Sequence, residues 1–448
     1  MIDSNDIKLL DDCLAYAREK GASALRLTLT ENDQQLVGVL DGEIDKISMS
    51  MDRSLGISMF ADGRFGTFST NLITRAGVFS MIDKALEMTR MMAPDPQRRL
   101  PDKSRKVTTA LSGTEMGLLD CSIDTLTADS RREMALSSAL WGRKNDFEKG
   151  FSVISEEGEY SDSISDTVTV DSEGLFCRHR ETSFEIGYET TVEDSSGNRF
   201  SAYWWDASPS LDGIVPALKD CSAEAILRAA GQIGPRSIPS GKYNVVFENE
   251  CASRLLNPIL TALGGYSIQQ GNSFLAGKAG EKVFGSNFSV IDRPAEVGKY
   301  GSKLYDSEGV ATRTMPIVEE GVVRNYFLNT YIAGKMGVSP TIEDVTRPSV
   351  APFGGCPDLD AILSAVGRGI LVTGFNGGNN NSTSGDFSYG IEGFLFEGGK
   401  RIHPVREIVL TGNFKDLWNS LIFAGEDPRR AMTRQIPTVA FKDLYISA

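Results

Sequence analysis

The residues best placed to do chemistry sit where a strand runs into a helix. Residues 243–247 form an apolar run, and Glu248, Asn249 and Glu250 follow it. Ala252, Leu255, Leu256, Ile259, Leu260 and Leu263 then recur at the spacing of one buried helix face. Pro258 falls inside that pattern and is expected to kink the helix. The Gly264-Gly265 pair is expected to end it with a left-handed residue. The junction therefore presents Asn249, Glu250 and, about one turn on, Arg254. Two histidines and a glutamate at such a junction would bind zinc and supply a general base. Here an amide and a guanidinium stand at the ligand positions. An amide is a poor zinc ligand, and a guanidinium stays protonated. The junction keeps its glutamate and lacks metal ligands.

Other nucleophile and ligand sets are sparse. The chain has two histidines, His179 in CRHRE and His403 in RIHPV, both expected on charged surface strands. Neither has a partner at metal-ligand spacing. Cys13, Cys121, Cys177, Cys221, Cys251 and Cys356 are scattered without a C-x-x-C pair, which suits buried, reduced thiols. Trp204 and Trp205 could line a groove, but an aromatic pair at a strand end is more often core or interface. The Gly/Asn/Ser loop over residues 376–385 is expected to be mobile or substrate-contacting. It lacks the G-x-x-x-x-G-K pattern of a phosphate cradle, so nucleotide binding is not indicated.

These residues need a scaffold, and 448 residues are enough for two or three domains. The expected class is α+β, in three parts. Residues 1–105 read as a helix–antiparallel meander–helix unit. Apolar positions in residues 2–20 have helical spacing, alternating segments turn at Asp41-Gly42 and Asp62-Gly63, and a second helix covers residues 73–92. Residues 93–107, rich in proline and charge, read as a linker. Residues 106–235 form a middle α+β region, with a helical stretch over 117–141, strands turning near Gly158, 172–174 and 195–197, and a helix over 216–230. Residues 236–448 form a strand-rich C-terminal domain, with strands about Glu320-Gly321 and a helix from Leu359.

A net charge of −14 disfavours attraction to nucleic acid or an anionic membrane. No apolar run approaches the roughly 18–20 residues of a membrane span. The amphipathic start lacks signal-peptide order, so a cytoplasmic location is expected.

Three blocks, GISMFADGRFGTFSTN, YDSEGVATRTMPIVEEGVVRNYFLNTYIAGKMG and TSGDFSYGIEGFLFEGGKRIHPVREIVLTGNFKDL, together resemble the TldD/PmbA family. That family is labelled both as modulators of DNA gyrase and as peptidases. The resemblance implies a two-subunit assembly. Its TldD-like subunit carries an H-E-x-x-x-H metal motif and a distant cysteine ligand, and its PmbA-like (TldE-like) subunit lacks them. Laid on this chain, the motif falls on Asn249, Glu250, Cys251, Ala252, Ser253 and Arg254, and only Glu250 matches. The distant cysteine is missing too.

The expected function is thus the non-metal subunit of a heteromeric metallopeptidase acting on peptides or unfolded segments. It would contribute chamber wall and substrate positioning, with strand addition at an exposed sheet edge as the expected way of holding a peptide. No cofactor is expected on this chain, and zinc is expected in a TldD-like metal-bearing partner. Glu250 is the catalytic candidate, set against helix capping or a salt bridge to Arg254. Alternatives are a non-enzymatic protein-binding regulator, for instance of DNA gyrase, and a self-sufficient non-zinc hydrolase using Cys251 or a serine. A homodimer is a further expectation for the isolated chain.

Overall fold

The computed structural model describes residues 1–140 and 150–448. The first helix, α1 (Ser4–Glu19), starts at Asp3, whose carboxylate accepts the Asn5 and Asp6 backbone N–H groups. Strands β1 (Ala24–Leu40), β2 (Glu43–Ala61) and β3 (Arg64–Thr70) follow as a meander. Both expected turns are present. Asp41 and Gly42 lie at φ 51° and 83°, and Asp62 and Gly63 at 52° and 71°, the left-handed pair that a two-residue hairpin requires. Helix α2 (Arg75–Met91) closes this unit.

Next come β4 (Thr109–Ser112), α3 (Ala128–Ser137), β5 (Phe151–Asp171), β6 (Phe176–Asp194), β7 (Arg199–Ser208), α4 (Leu211–Ile214) and α5 (Ala217–Ala230). One seven-stranded sheet runs in the order β3-β2-β1-β5-β6-β4, with β7 also on β6. It spans the irregular segment at residues 92–108, because β1 pairs with β5 along its length. Alternation explains its two faces. Leu27, Leu29, Val168 and Val170 pack under α1 and α2. Val37, Tyr160, Phe184 and Tyr188 continue that face under α3 and α5. The opposite face carries Thr28, Thr30, Thr167, Thr169 and His179.

The C-terminal part contains β8 (Gly241–Phe247), α6 (Ser253–Ala262), α7 (Gly265–Gln269), β9 (Val290–Asp292), β10 (Met315–Glu319), β11 (Val322–Val323), α8 (Thr330–Met336) and β12 (Pro348–Val350). It continues through α9 (Leu359–Val366), β13 (Arg368–Asn380), β14 (Asp386–Glu397), β15 (Lys400–Asn413), α10 (Phe414–Asn419), β16 (Leu421–Ala424) and β17 (Val439–Ser447). Its main sheet has the order β15-β14-β13-β8-β17-β16, and a β15–β17 pairing closes five of these strands into a ring. Helix α6 and the aromatics Phe247, Phe288, Trp418 and Phe441 fill the core, with Phe288 and Trp418 stacked at 4.0 Å.

Several local expectations change. Gly158 is no turn: it lies within β5, opposite Tyr188, whose ring would meet an added Cβ at 2.3 Å. The helical stretch over 117–141 is a 3-10 turn, Cys121–Thr125, followed by α3. Trp141, its expected end, lies outside the described residues. Helix α6 ends at Ala262 without a left-handed glycine, since Gly264 is extended at φ −64°. Gly265 is there for proximity, because a Cβ would sit 2.4 Å from the Phe327 carbonyl oxygen. The loop at 376–385 is strand as far as Asn380, paired with β14. Cys121 is exposed, unlike the buried thiols expected, and all six cysteines are unpaired.

Candidate functional site

Strand β8 lies between β13 and β17, and Val245, Val246 and Phe247 are fully buried. Being paired on both sides, it cannot accept an added peptide strand. The chain leaves it at Glu248, whose N–H donates to the Val372 carbonyl at 3.1 Å. The Cys251 and Ala252 N–H groups then fold back on the Glu248 carbonyl, each at 3.0 Å, and α6 starts one residue later.

The three predicted positions find three separate partners. Asn249 donates its side-chain N–H to the Asp427 carbonyl. Glu250 accepts the Trp205 indole N–H at 3.0 Å and pairs with Arg429. Arg254 lies over the rings of Phe375 and Tyr389, at 5.2 and 5.0 Å, and donates to the Gly378 carbonyl at 3.3 Å. Thus Glu250 is not bridged to Arg254. Nor does it cap α6, whose first turn receives no side-chain cap.

Sequence reasoning missed what organises this junction. Trp204 carries two guanidinium groups, Arg228 at 4.0 Å and Arg429 at 4.2 Å from its ring centroid. Arg228 grips Glu248 with two hydrogen bonds, 3.0 and 2.9 Å, and reaches Glu224 at 2.7 Å. Arg429 also donates to the Trp205 carbonyl and lies 3.9 Å from Asp206. Burial works against the Arg228 charge, but the Glu248 and Glu224 carboxylates together more than offset it and raise its pKa. Burial pulls the Arg429 pKa below its ordinary value while Asp206 opposes it, and a guanidinium still stays charged. The tryptophan pair therefore stands at the contact between the seven-stranded sheet and the C-terminal part. The one local signal was an aromatic pair, and its cationic partners lie far along the chain.

The donor set does not fit zinc. Asn249 and Arg254 cannot serve, and Glu250 is held by a cation and an indole. Among the described residues no group of three or more His, Cys, Asp or Glu side chains is arranged to hold a metal. Cys251 is also a poor nucleophile. Its thiol donates to the Glu248 and Val372 carbonyls, each at 3.4 Å, and burial pushes its pKa up, away from thiolate. His179 is not on the surface: it is buried, with Nδ1 2.6 Å from Ser112 Oγ and Nε2 3.3 Å from Glu181. That hydrogen bond holds the Glu181 carboxyl below the usual range. Ser112 is itself 2% exposed, so this trio is no open hydrolytic site. His403 is partly exposed, its Nδ1 3.0 Å from the Pro404 carbonyl oxygen.

Three domain models of the PmbA/TldA metallopeptidases match in sequence order: domain 1 at residues 28–89, the central domain at 121–233 and the C-terminal domain at 240–448. A Metalloprotease PmbA homolog of Haemophilus influenzae is 25% identical over 440 residues, covering 96% of this chain and 93% of that protein. A crystal structure from Bacteroides thetaiotaomicron, bearing a DNA gyrase modulator name, shares 34% identity and a TM-score of 0.93 over 100% of both chains. TldE from Thermococcus kodakarensis has the same fold, with a TM-score of 0.83 at 17% identity over 98% of this chain and 100% of that one. The chain belongs to the PmbA/TldD family.

Proposed function

We propose that this member of the family is the non-metal, TldE-like subunit of a heteromeric PmbA/TldD-type peptidase. One observation carries the reading: the space beside Glu250, where a metal would have to be held, is taken by Arg429. A cation paired to the retained glutamate excludes a second cation by charge as well as by volume. The neighbouring Arg254 adds to that exclusion. Hydrolytic chemistry on peptides or unfolded segments would then belong to a TldD-like partner that holds zinc. This chain's contribution is a rigid wall, fixed by the Trp204–Arg228–Arg429 stack at the contact of its two halves.

The test is elemental analysis of the purified chain, alone and after co-purification with a TldD-like subunit, with peptide cleavage measured on both samples. The expected result is no stoichiometric zinc and no cleavage alone, with about one zinc per complex and cleavage by the complex. Stoichiometric zinc on the isolated chain would overturn the reading.

A further inference from the structure

One edge of the seven-stranded sheet lacks a partner strand over much of its length. Strand β3 covers the outer side of β2 only over Leu55–Ala61, beginning where Leu55 faces Thr70. Residues 46–54 therefore have β1 on one side and no strand of the described residues on the other. A β-bulge bounds the stretch at its far end: Lys46 faces Gly38 and Ile44 faces Val39, so Asp45 is the extra residue. Such an edge presents a row of unpaired backbone N–H and C=O groups to any strand that reaches it.

Its side chains leave the edge poorly guarded. Alternation carries the helix-covered face from Ile57 and Leu55, which pack beneath α1 and α2, out to Met51, Met49 and Ile47. Here the cover has ended, and Met51 is 64%, Met49 72% and Ile47 54% exposed. The other face carries Lys46, Ser48, Ser50 and Asp52. Lys46 and Asp52 are exposed, and neither has an ion-pair partner among the described residues. A long apolar edge is an invitation to pair with another chain.

The stretch is complementary to itself. Two copies paired antiparallel about a two-fold axis at Met49 set Lys46 of each opposite Asp52 of the other. Ile47 then faces Met51, Ser48 faces Ser50, and Met49 faces its own copy. Moving the axis to Ser48 or Ser50 sets Lys46 opposite Ser50 or Ser54, and gives neither Lys46 nor Asp52 an opposite charge. We propose that this edge of β2 is an interface between two copies of the chain, paired about Met49 into one continuous sheet. Two Lys46–Asp52 pairs fix the register on one face, and Ile47, Met49 and Met51 of both copies cover one another on the other. The hairpin tip of each copy passes the β3 end of the other, and the bulge at Asp45 is where the strand bends to turn aside. This edge lies across the sheet from β7 and the Glu250 junction, so the pairing is independent of the subunit reading and leaves that junction free.

One strand pair is small beside interfaces of roughly 1,200–2,000 Å², so the dimer is expected to dissociate on dilution. The experiment is sedimentation velocity of the full chain over a concentration series reaching the high micromolar range. The parent should move from 48.7 kDa toward twice that mass as concentration rises. Lys46→Glu, an exposed change, should weaken the dimer about tenfold, because two opposite-charge pairs become like-charge pairs. Adding Asp52→Lys restores both pairs with their signs reversed and should recover the parent's affinity. Met49→Cys should give a disulfide-linked dimer on mild oxidation, beyond any that the parent forms through its exposed Cys121. A parent that stays monomeric throughout would overturn the proposal. So would a dimer indifferent to Lys46→Glu, a charge reversal that fails to rescue it, or a Met49→Cys chain that crosslinks no more than the parent. A monomeric parent whose Lys46→Glu variant loses its hold on a TldD-like subunit would assign the edge to that subunit instead.

Discussion

At the Glu250 junction both carboxylates that leave β8 meet a guanidinium, whereas a cavity of about 450 Å³ beside Tyr305, against the Thr28 and His179 face of the seven-stranded sheet, is lined by Lys303, Glu343 and Asp344, which form no ion pair with one another. Both places lie between the seven-stranded sheet and the C-terminal part, so burial between the two halves does not account for the difference. The supply of arginine does. Arg228 and Arg429 converge on one indole and present flat, many-toothed donors to Glu248 and Glu250. The cavity has Lys303, an exposed point charge on a flexible stem, and no arginine among its lining residues. A paired charge in a dry contact fixes geometry and has no capacity left for a ligand. An unpaired charge at an exposed position, as at Lys303 and Asp344, is met by solvent and fixes nothing.

The largest expected effect comes from breaking the paired side. Arg429→Ala leaves Glu250 without its cation, removes a hydrogen bond to the Trp205 carbonyl and uncovers Trp204. Removal of one partner from a buried pair costs about 3–5 kcal/mol. Chemical denaturation should show a loss of that order. The double variant Arg429→Met, Glu250→Gln should recover most of it, since replacing both partners of a buried pair is often close to neutral. If the double variant is as unstable as the single one, the stacking on Trp204, rather than the ion pair, holds the contact.

A smaller effect tests whether the junction excludes metal for want of ligands or because it is full. Asn249→His with Arg254→His restores the H-E-x-x-x-H pattern at residues 249–254. With Arg429 in place, zinc titration against a chelating dye should still find far less than one ion per chain. Adding Arg429→Ala should raise zinc uptake, because the cation that pairs with Glu250 is then gone. Stoichiometric zinc in the two-histidine variant alone would show that Arg429 yields easily, and that the contrast with the cavity is one of sequence rather than of packing.

Much of the scaffold was legible because its signals are local. The Asp-Gly pairs at 41–42 and 62–63 impose left-handed turns, and alternation along Leu25, Leu27 and Leu29 names the buried face. The strand-to-helix step at Glu248 showed in the change from an unbroken apolar run to helical spacing. What stayed hidden depends on neighbours from elsewhere in the chain. Gly158 resembles a turn residue until Tyr188 is placed over it from the next strand. Glu250 has a plausible partner one turn away in Arg254, yet takes Arg429, 179 residues on. Local spacing made Arg254 the natural choice, but the rings of Phe375 and Tyr389 hold it elsewhere. The cavity was illegible for the same reason: Thr28, His179 and Tyr305 come from three regions, and none carries a motif.

The finest test is made at the cavity, where a half-buried carboxylate, Asp306, has no cation paired to it among the described residues. Asp306 lines that space, and burial raises its pKa, against the lowering effect of the Val310 and Glu343 backbone N–H groups. A carboxyl whose folded pKa exceeds its unfolded value, about 3.9, binds more protons in the folded state between the two. Its contribution to stability is therefore complete below the unfolded value and is lost as pH rises through the folded one. Asn at this position keeps an acceptor for the Glu308 and Val310 N–H groups, both at 2.9 Å, and does not titrate. The advantage of the parent chain over Asp306→Asn should thus shrink steadily as pH rises from about 4 toward neutrality, read as the difference between their thermal midpoints. A difference at Asp306 that widens with pH would mean that this carboxylate, too, is paid for by a cation, and that the two regions are less unlike than their geometry suggests.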